Sequence, residues 1–454
     1  MSIVKVVRAI TAVLAALLLA LLAGCGSTGS AGSAASAVPE DVAVYLSVDT
    51  SFEGDQWRAV RDLLAKFPDG EGALDELLDK ASDGAGLSTE RLKDALGPEV
   101  GVAVLDIPLG PDEAPQVVLL SQPDDPDAFR ELLEGEDAAF AEVNGWEVAA
   151  PDQATLDRYR EALEGPSLES SADFDETMDD LDDGLVLAYV NGEAIMQAFA
   201  SQPGFPAGAL PLPAGGEIGS VGAVLKAEGN GVRVEGRAVT ADQAEGAPTT
   251  EPYVAELPEE IPGGVLALLS FNGLGESLAG GAGGFEGLLP FDLNEIAKLF
   301  AGETAVYVRP GSPQPAITLV TEVDDEAAAI QAVQGLVGLA GPDAASIAYD
   351  AFDGLLAVST SQAEIDALRS DEPRLDQDDA FAQAAEEAGL PDETTGFGYV
   401  DLEAVIPLFL GFLPPADAAE ASEVQAYLEP LGSVVFWGGK TGSVQDFSLF
   451  VSID

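Results

Sequence analysis

From Val42 to Asp49 apolar and polar positions alternate. Val42, Val44, Leu46 and Val48 fall on one side of an extended chain, and Ala43, Tyr45, Ser47 and Asp49 on the other. A period of two predicts a half-buried strand with its valine–leucine side inward. The spacing lengthens to a helical period in "RAVRDLLAKF" (Arg58 to Phe67), and "STERLKDAL" follows with Ser88 placed to cap it. "EVGVAVLD" and "QVVLLSQ" read as strands separated by a Pro/Gly/Asp loop. Asp125-Pro126 has the form of an N-cap and first-turn proline, and Phe129, Leu132 and Leu133 lie at helix spacing behind it. Asn144-Gly145 divides two short strands as a type I′ hairpin turn would. A helix from Asp152, the strand "LVLAYV", the helix "EAIMQAF" and a hairpin turning at Asn230-Gly231 complete the series.

The series is written twice. "VPEDVAVYLSVD" from Val38 returns as "LPEEIPGGVLALLSFN" from Leu257, and "APQVVLLSQPDDPDAF" from Ala114 as "QPAITLVTEVDDEAAA" from Gln314. "VNGWEVAAPDQATLDRY" from Val143 returns as "FDGLLAVSTSQAEIDAL" from Phe352, and "AYVNGEAI" from Ala188 as "GYVDLEAV" from Gly398. Block order is kept and turn residues match: Asp353-Gly354 stands for Asn144-Gly145, and Asp324-Asp325 for Asp124-Asp125. Ser361 and Glu364 have the spacing of a capping box. The closing hairpin recurs near Thr441-Gly442. Neighbouring strands on tight turns imply antiparallel pairing. The expected fold class is α+β, a tandem duplication of an antiparallel-sheet domain with helices packed on one face. The copies span 38–239 and 257–454, with a linker over 240–256.

The first residues obey another pattern. Lys5 and Arg8 precede an apolar run from Ala9 to Leu22, broken only by Thr11. The run is shorter than the ~20 residues of a permanent membrane helix. Its order is that of a secretory signal peptide. Leu22-Ala23-Gly24-Cys25 then resembles the bacterial lipobox, and Cys25 is the only cysteine of 454 residues. The resemblance implies a lipoprotein signal peptide over 1–24, cut before Cys25, whose thiol carries a diacylglycerol. It places the chain outside the cytosol, anchored to the bacterial cell membrane. The alternative is a secreted chain cut at a nearby small-residue site, with Cys25 unmodified. Residues 25–37 contain only Gly, Ser, Thr and Ala after the cysteine and are expected to form a tether. By the random-coil rule it reaches about 20 Å root-mean-square.

Charge narrows the partners. Nineteen Lys and Arg face 80 Asp and Glu, a formal net charge of −61. Nucleic acid and the surface of an anionic bilayer both need clustered cations and are repelled. The acidity acts as a solvated shell, or as a surface suited to salt, divalent cations or a cationic partner. Hydrophobic residues at 47% oppose general disorder. Without histidine there is no Ser-His-Asp or Cys-His site and no His-ligated metal. One cysteine permits neither an internal disulfide nor a thiolate cage.

Motif matches fail on context. "FWGGKTGS" (Phe436 to Ser443) has Val434 where a phosphate loop needs its first Gly, and reads as a hairpin. In "FNGLGESLAGGAGG", Gly273 and Gly275 fit a dinucleotide fingerprint but Leu278 takes the third glycine position. "DDLDDG" (Asp179 to Gly184) places Leu181 and Val190 where a calcium loop needs oxygen, which leaves only weak divalent-cation binding. No catalytic, metal or cofactor residue is singled out. A carboxylate-based hydrolase is the third functional reading, since 80 acids point to no particular pair. Two corresponding apolar segments stand out. One is "FPAGALPLPAGG" with Phe205, Leu210 and Leu212; the other is "LFLGFLPP" with Leu408, Phe409 and Phe412. Read as loops, they either line a shared apolar cleft or partner surface, or plug the open end of each core.

The lipobox, the "VPEDVAVYLSVD" opening and the "AYVN" and "GYVD" strands together resemble the bacterial domain-of-unknown-function family numbered 3352. The resemblance covers most of the mature chain. It implies an envelope location and supplies no catalytic residues. The expectation is a membrane-anchored, non-catalytic envelope lipoprotein that serves as a binding or assembly module. A carrier of a lipid or other apolar ligand is the second reading.

Overall fold

The computed structural model describes residues 33–107, 115–133, 138–181, 183–195, 218–240, 251–273, 275, 297–312, 314–340, 347–411 and 424–454. Sixteen strands form one antiparallel sheet. The first eight are β1 (Val44–Asp49), β2 (Glu99–Asp106), β3 (Gln116–Ser121), β4 (Ala139–Val143), β5 (Trp146–Ala150), β6 (Val186–Asn191), β7 (Ile218–Glu228) and β8 (Gly231–Thr240). The next eight are β9 (Ala267–Asn272), β10 (Glu303–Arg309), β11 (Ala316–Glu322), β12 (Ala348–Phe352), β13 (Leu355–Ser359), β14 (Gly396–Asp401), β15 (Leu431–Thr441) and β16 (Val444–Ile453). The first half runs β4-β5-β3-β2-β1-β6-β7-β8, and the second runs β12-β13-β11-β10-β9-β14-β15-β16, the same order with like strands in like places. β8 and β16 pair antiparallel from Val239↔Val444 to Gly231↔Ser452, so the two half-sheets continue as one.

Turn chemistry sets the registers. Asn144 and Gly145 have φ of 52° and 83°, and Asp353 and Gly354 have 51° and 81°, as a type I′ turn requires. The β7–β8 turn falls on Gly229-Asn230, one residue before the expected place, because Glu228 pairs with Gly231. The aspartate caps form as expected: Asp125 Oδ1 accepts from the Ala128 N–H at 3.0 Å, and Asp325 Oδ1 from the Ala328 N–H at 3.0 Å. The capping box does not form. Ser361 makes no side-chain cap bond, and Glu364 turns inward to pair with Arg309 at 3.2 Å.

The described helices are α1 (Gly54–Leu64), α2 (Ala73–Ala85), α3 (Thr89–Leu96), α4 (Pro126–Leu133), α5 (Gln153–Ala162), α6 (Ala172–Met178), α7 (Glu326–Ala340), α8 (Gln362–Leu368), α9 (Asp379–Ala388) and α10 (Leu402–Gly411). They cover both faces of the sheet, which corrects the expected single layer. On the front face Leu156 and Tyr159 of α5 and Phe174 of α6 join Leu120 and Val148. On the back face Ala95 of α3 and Phe129 of α4 join Leu119 and Ala149. Neighbouring strand residues point to opposite sides, so Leu119 and Leu120 lie in separate cores. The second half repeats the arrangement, with α8 and α9 in front and α7 behind. Strands buried on both sides read as apolar runs, which is why their alternation is lost.

Four further expectations are corrected. In β1 the buried residues are Tyr45, Ser47 and Asp49, while Val44, Leu46 and Val48 are half-buried. The inward polar side is partly satisfied: Ser47 Oγ donates to Glu99 Oε1 at 2.6 Å and Asp49 Oδ1 accepts from the Ser51 N–H at 2.7 Å, while the buried Tyr45 hydroxyl and Asp49 Oδ2 have no hydrogen-bond partner. The end of the expected tether is part of the core, for Ser33–Ala37 form a 3-10 turn with Ala34, Ala35 and Ala37 fully buried. The repeat alignment also shifts at its start. The Pro39–Ser167 bridge recurs as Pro262–Arg374, so Val38-Pro39 corresponds to Ile261-Pro262. The turn Leu257–Glu259 therefore corresponds to Ser33–Ala37 rather than to "VPED". The end of the linker is likewise built in, with Tyr253–Val254 paired to Glu393–Thr394.

Candidate interaction surface

The back face of the second half carries an open apolar area. One cross-strand row runs Leu269↔Gly398 (β9–β14), Gly398↔Phe436 (β14–β15), Phe436↔Leu449 (β15–β16) and Leu449↔Val234 (β16–β8). Leu269 is 42% exposed, Phe436 40%, Leu449 36%, Phe447 37% and Ile317 52%. Val234, Val306, Leu319, Val400 and Val434 around them are half-buried. Glycine makes the face flat. A Cβ on Gly398 would lie 2.2 Å from the Phe436 ring and one on Gly236 2.0 Å from the Phe447 ring, so both rings lie over bare backbone. In the first half the same side of β7 and β8 is covered, by Trp57, Val60 and Leu63 of α1 over Leu225 and Val232.

Of the residues the sequence singled out for an apolar cleft, Leu408 and Phe409 are described. They lie in helix α10, which corrects the expected loop; Asp401 Oδ1 caps it by accepting from the Ala404 N–H at 2.9 Å. No residue of α10 is buried, and Phe409 is 69% exposed. Phe205, Leu210, Leu212 and Phe412 lie outside the described residues, as do Cys25 and the lipobox residues Leu22, Ala23 and Gly24. Phe436 and Leu449 were missed because "SVVFWGG" and "FSLFVSI" read as buried strand; the glycines opposite the aromatic residues were the available signal.

Each half also clamps its entry turn with a buried carboxylate. Glu303 Oε2 accepts from the Glu256 and Leu257 N–H groups at 2.7 and 3.0 Å, and its Oε1 from the Ser270 hydroxyl at 2.8 Å. Glu99, its counterpart on β2, accepts from Ser47 and from the Ala34 N–H at 3.2 Å. Burial pushes the Glu303 carboxyl above its ordinary 4.5, outweighing the hydrogen bonds that pull it down. As pH rises past that value the unfolded chain releases this proton first, so this group's contribution to stability falls until the folded carboxyl also ionises. The expected result for Glu303→Gln is therefore a relative gain over wild type that sets in above pH 4.5, grows until the folded carboxyl ionises and is constant on either side of that window. Paired urea titrations at each pH check it, because the remaining acids cancel in the difference.

The acidic stretch after α6 is engaged by Arg237 of β8. This guanidinium donates to the Asp179 carbonyl, lies 3.5 Å from Asp180 and bonds Asp446 of β16 at 2.9 Å. Among the described residues no three acidic side chains converge to hold a metal ion. Among them, too, no helix is long and apolar enough to cross a membrane.

No family model and no curated protein matches the chain. Among solved structures it is similar to crystal form III of TP0453, at 12% identity and a TM-score of 0.26, over 48% of this chain and 82% of that one. It is also similar to crystal form IV of TP0453, at 12% identity and a TM-score of 0.24, over 46% of this chain and 83% of that one.

Proposed function

We propose that this chain is a duplicated, non-catalytic binding module of the bacterial envelope, held to the membrane by a lipidated Cys25. Its docking surface is the open back face of the second half. The shared strand order of the halves supports duplication, and the lipobox pattern supports the anchor. The resemblance of the "AYVN" and "GYVD" strands to the family numbered 3352 fits that location. The observation that carries the docking reading is the row of exposed apolar side chains on a flat sheet face, from Leu269 to Leu449. A flat face suits a partner surface better than it suits an enclosed acyl chain. With a net charge of −61 around it, the fitting occupant is a protein with an apolar centre and a Lys/Arg rim.

The test is the double substitution Phe436→Asp, Leu449→Asp in the lipidated chain. Both side chains are partly exposed, so the unfolding free energy is expected to change little, by about 1 kcal/mol or less. Photocrosslinking from position 434 to a basic envelope protein is expected in wild type, to weaken with salt, and to vanish in the double variant. Undiminished crosslinking, or an acyl ligand released from the purified chain in native mass spectrometry, overturns the reading.

A further inference from the structure

We propose that the second half binds an organic ammonium group in a cavity on its front face, between α9 and the adjoining ends of β14, β15 and β16. The site lies on the other side of the sheet from the docking surface and depends neither on it nor on the lipid anchor. The cavity measures about 80 Å³. That is well below the ~300 Å³ of a pocket enclosing a whole drug-sized ligand, and it gives room for one functional group. A break in the ladder opens it. The register of β15 on β16 shifts between Leu431 and Val434, and the Ser433 N–H donates to the Ser452 hydroxyl at 2.7 Å. Gly432 keeps the space clear, since a Cβ there would lie 2.4 Å from Asp454 Oδ2 and 2.6 Å from Ser452 Oγ. Four carboxylates line the cavity, and no cation does: Glu387 of α9, Asp401 ending β14, Glu403 in the first turn of α10, and Asp454 beyond β16. Among the described residues none of the four is in an ion pair. Arg233 and Lys66 touch the walls from outside, but they donate to the Glu387 and Ile453 carbonyls.

Two further observations are independent of that charge. Tyr399 lines the cavity at 2% exposure, and its hydroxyl has no hydrogen-bond partner among the described residues. Its ring packs edge-on against Phe381 at 5.2 Å, and its hydroxyl end faces Asp401 and Glu403. Burial, and then Asp401, raise its ionisation above the ordinary 10, so the phenol stays neutral and can accept an N–H. Buried polar groups are ordinarily paired, and here the pairing is left to an occupant. The first half shows the same place closed. Tyr189 packs on Phe174 at 5.1 Å, but Thr177, three residues beyond Phe174, is fully buried and shares a hydrogen bond with Ser220. Ala384 stands three residues beyond Phe381. The registers Asn191↔Ser220 and Ser220↔Val239 match Asp401↔Ser433 and the Ser433–Ser452 contact, so Asp401 replaces Asn191 and Ser452 replaces Val239. One copy thus keeps a packed neutral interior and the other a hollow lined by acceptors. Among the described residues no three acids converge on a metal ion. Acceptors on separate elements suit the radial N–H donors of an ammonium better than the planar fork of a guanidinium.

The experiment titrates the full chain with n-butylammonium at about 0.15 M salt, where diffuse surface attraction is screened, and follows the Gly432 and Ser433 amide shifts by NMR. Saturating shifts are expected. Tetramethylammonium, which has no N–H, is expected to bind roughly ten-fold more weakly. Tyr399→Phe keeps the ring and Asp401→Asn keeps a helix cap, and each is expected to weaken binding several-fold. Gln383→Lys sets a tethered ammonium at the rim and is expected to abolish binding. Gln362→Lys makes the same change of charge on α8, at a glutamine that likewise bonds an acid four residues on, and is expected to leave binding unchanged. Equal binding of tetramethylammonium, equal loss in both lysine variants, or full binding in Tyr399→Phe and Asp401→Asn overturns the proposal. Guanidinium binding more tightly than n-butylammonium overturns the ammonium assignment. Two competitors separate the sources of the group. Stronger competition by acetyl-lysine methylamide assigns it to a lysine side chain, and stronger competition by putrescine to a free polyamine. Competition by neither overturns the site.

Discussion

Arg233→Ala is expected to lower stability by roughly 3 kcal/mol and to split the unfolding of the two halves into separate transitions. Arg233 stands on β8, the last strand of the first half, and is 9% exposed. Its Nε and Nη2 hold the Glu228 carboxylate at 2.5 and 3.0 Å. Its Nη1 and Nη2 donate to the Ala388 and Glu387 carbonyls of the second half at 2.6 and 2.9 Å. These carbonyls end α9, where the helix dipole favours a cation. The guanidinium also lies 4.7 Å from the centre of the Phe450 ring. Alanine leaves the two carbonyls and a partly buried carboxylate without their donor. Lysine cannot replace the planar fork, so Arg233→Lys is expected to recover less than half of the loss. Trp57 and Trp146 report on the first half and Trp437 on the second. Urea transitions of single-tryptophan variants should coincide in the parent and separate in Arg233→Ala. Coincident transitions at an unchanged midpoint would show that the β8–β16 ladder alone couples the halves.

That staple shows which parts of the fold the sequence discloses. The hairpins at Asn144-Gly145 and Asp353-Gly354 and the caps at Asp125 and Asp325 are local, and they appear where their residues predict them. Tight turns give the hairpin pairs β4–β5 and β7–β8, but not the pairing of β1 with β6 or of β3 with β5. Long-range pairing is what local pattern cannot carry. In "GVRVEGRAV" the charges alternate with valine as on a solvated strand, yet Arg233 points into the seam because its acceptors lie over 150 residues away. Layer number was hidden for a related reason: β5, "WEVAA", is buried at every position, so its period gives no face at all. The candidate surface was legible only in outline. The segment "LFLGFLPP" reads as a loop although Leu408 to Gly411 close helix α10, and Phe436 and Leu449 sit in strands that look like core until the register sets them opposite Gly398 and Val234. The Ser33–Ala37 turn was the hardest to see. Ser, Ala and Gly are what a leash contains, and only Glu99 and Gly101, more than sixty residues on, make "SAASA" structural.

Gly101→Val is the sharpest probe of that last contact. A Cβ at this position would stand 3.0 Å from the Ala34 Cβ and 3.4 Å from the Leu120 Cβ, closer than packed carbons rest. Valine adds two more methyl groups against a fully buried turn, so either that turn or β2 must move. Overpacking of this kind costs about 1–3 kcal/mol, and losing the Ala34 bond to buried Glu99 adds about 1 kcal/mol. The Ser33–Ala37 turn is the part expected to yield, because it is a single short turn while β2 is paired on both sides. The Ala34 amide should then exchange at the rate of an open chain while the β2 amides stay protected. Ala305 at the corresponding position of β10 shows that a methyl is accommodated when the turn above it is built differently, with Leu257 in place of Ala34. The decisive comparison is therefore a cycle: Gly101→Ala should cost about 1–2 kcal/mol alone and markedly less when Ala34→Gly removes the methyl it meets. Strictly additive effects would mean that the segment is not seated on β2 in solution.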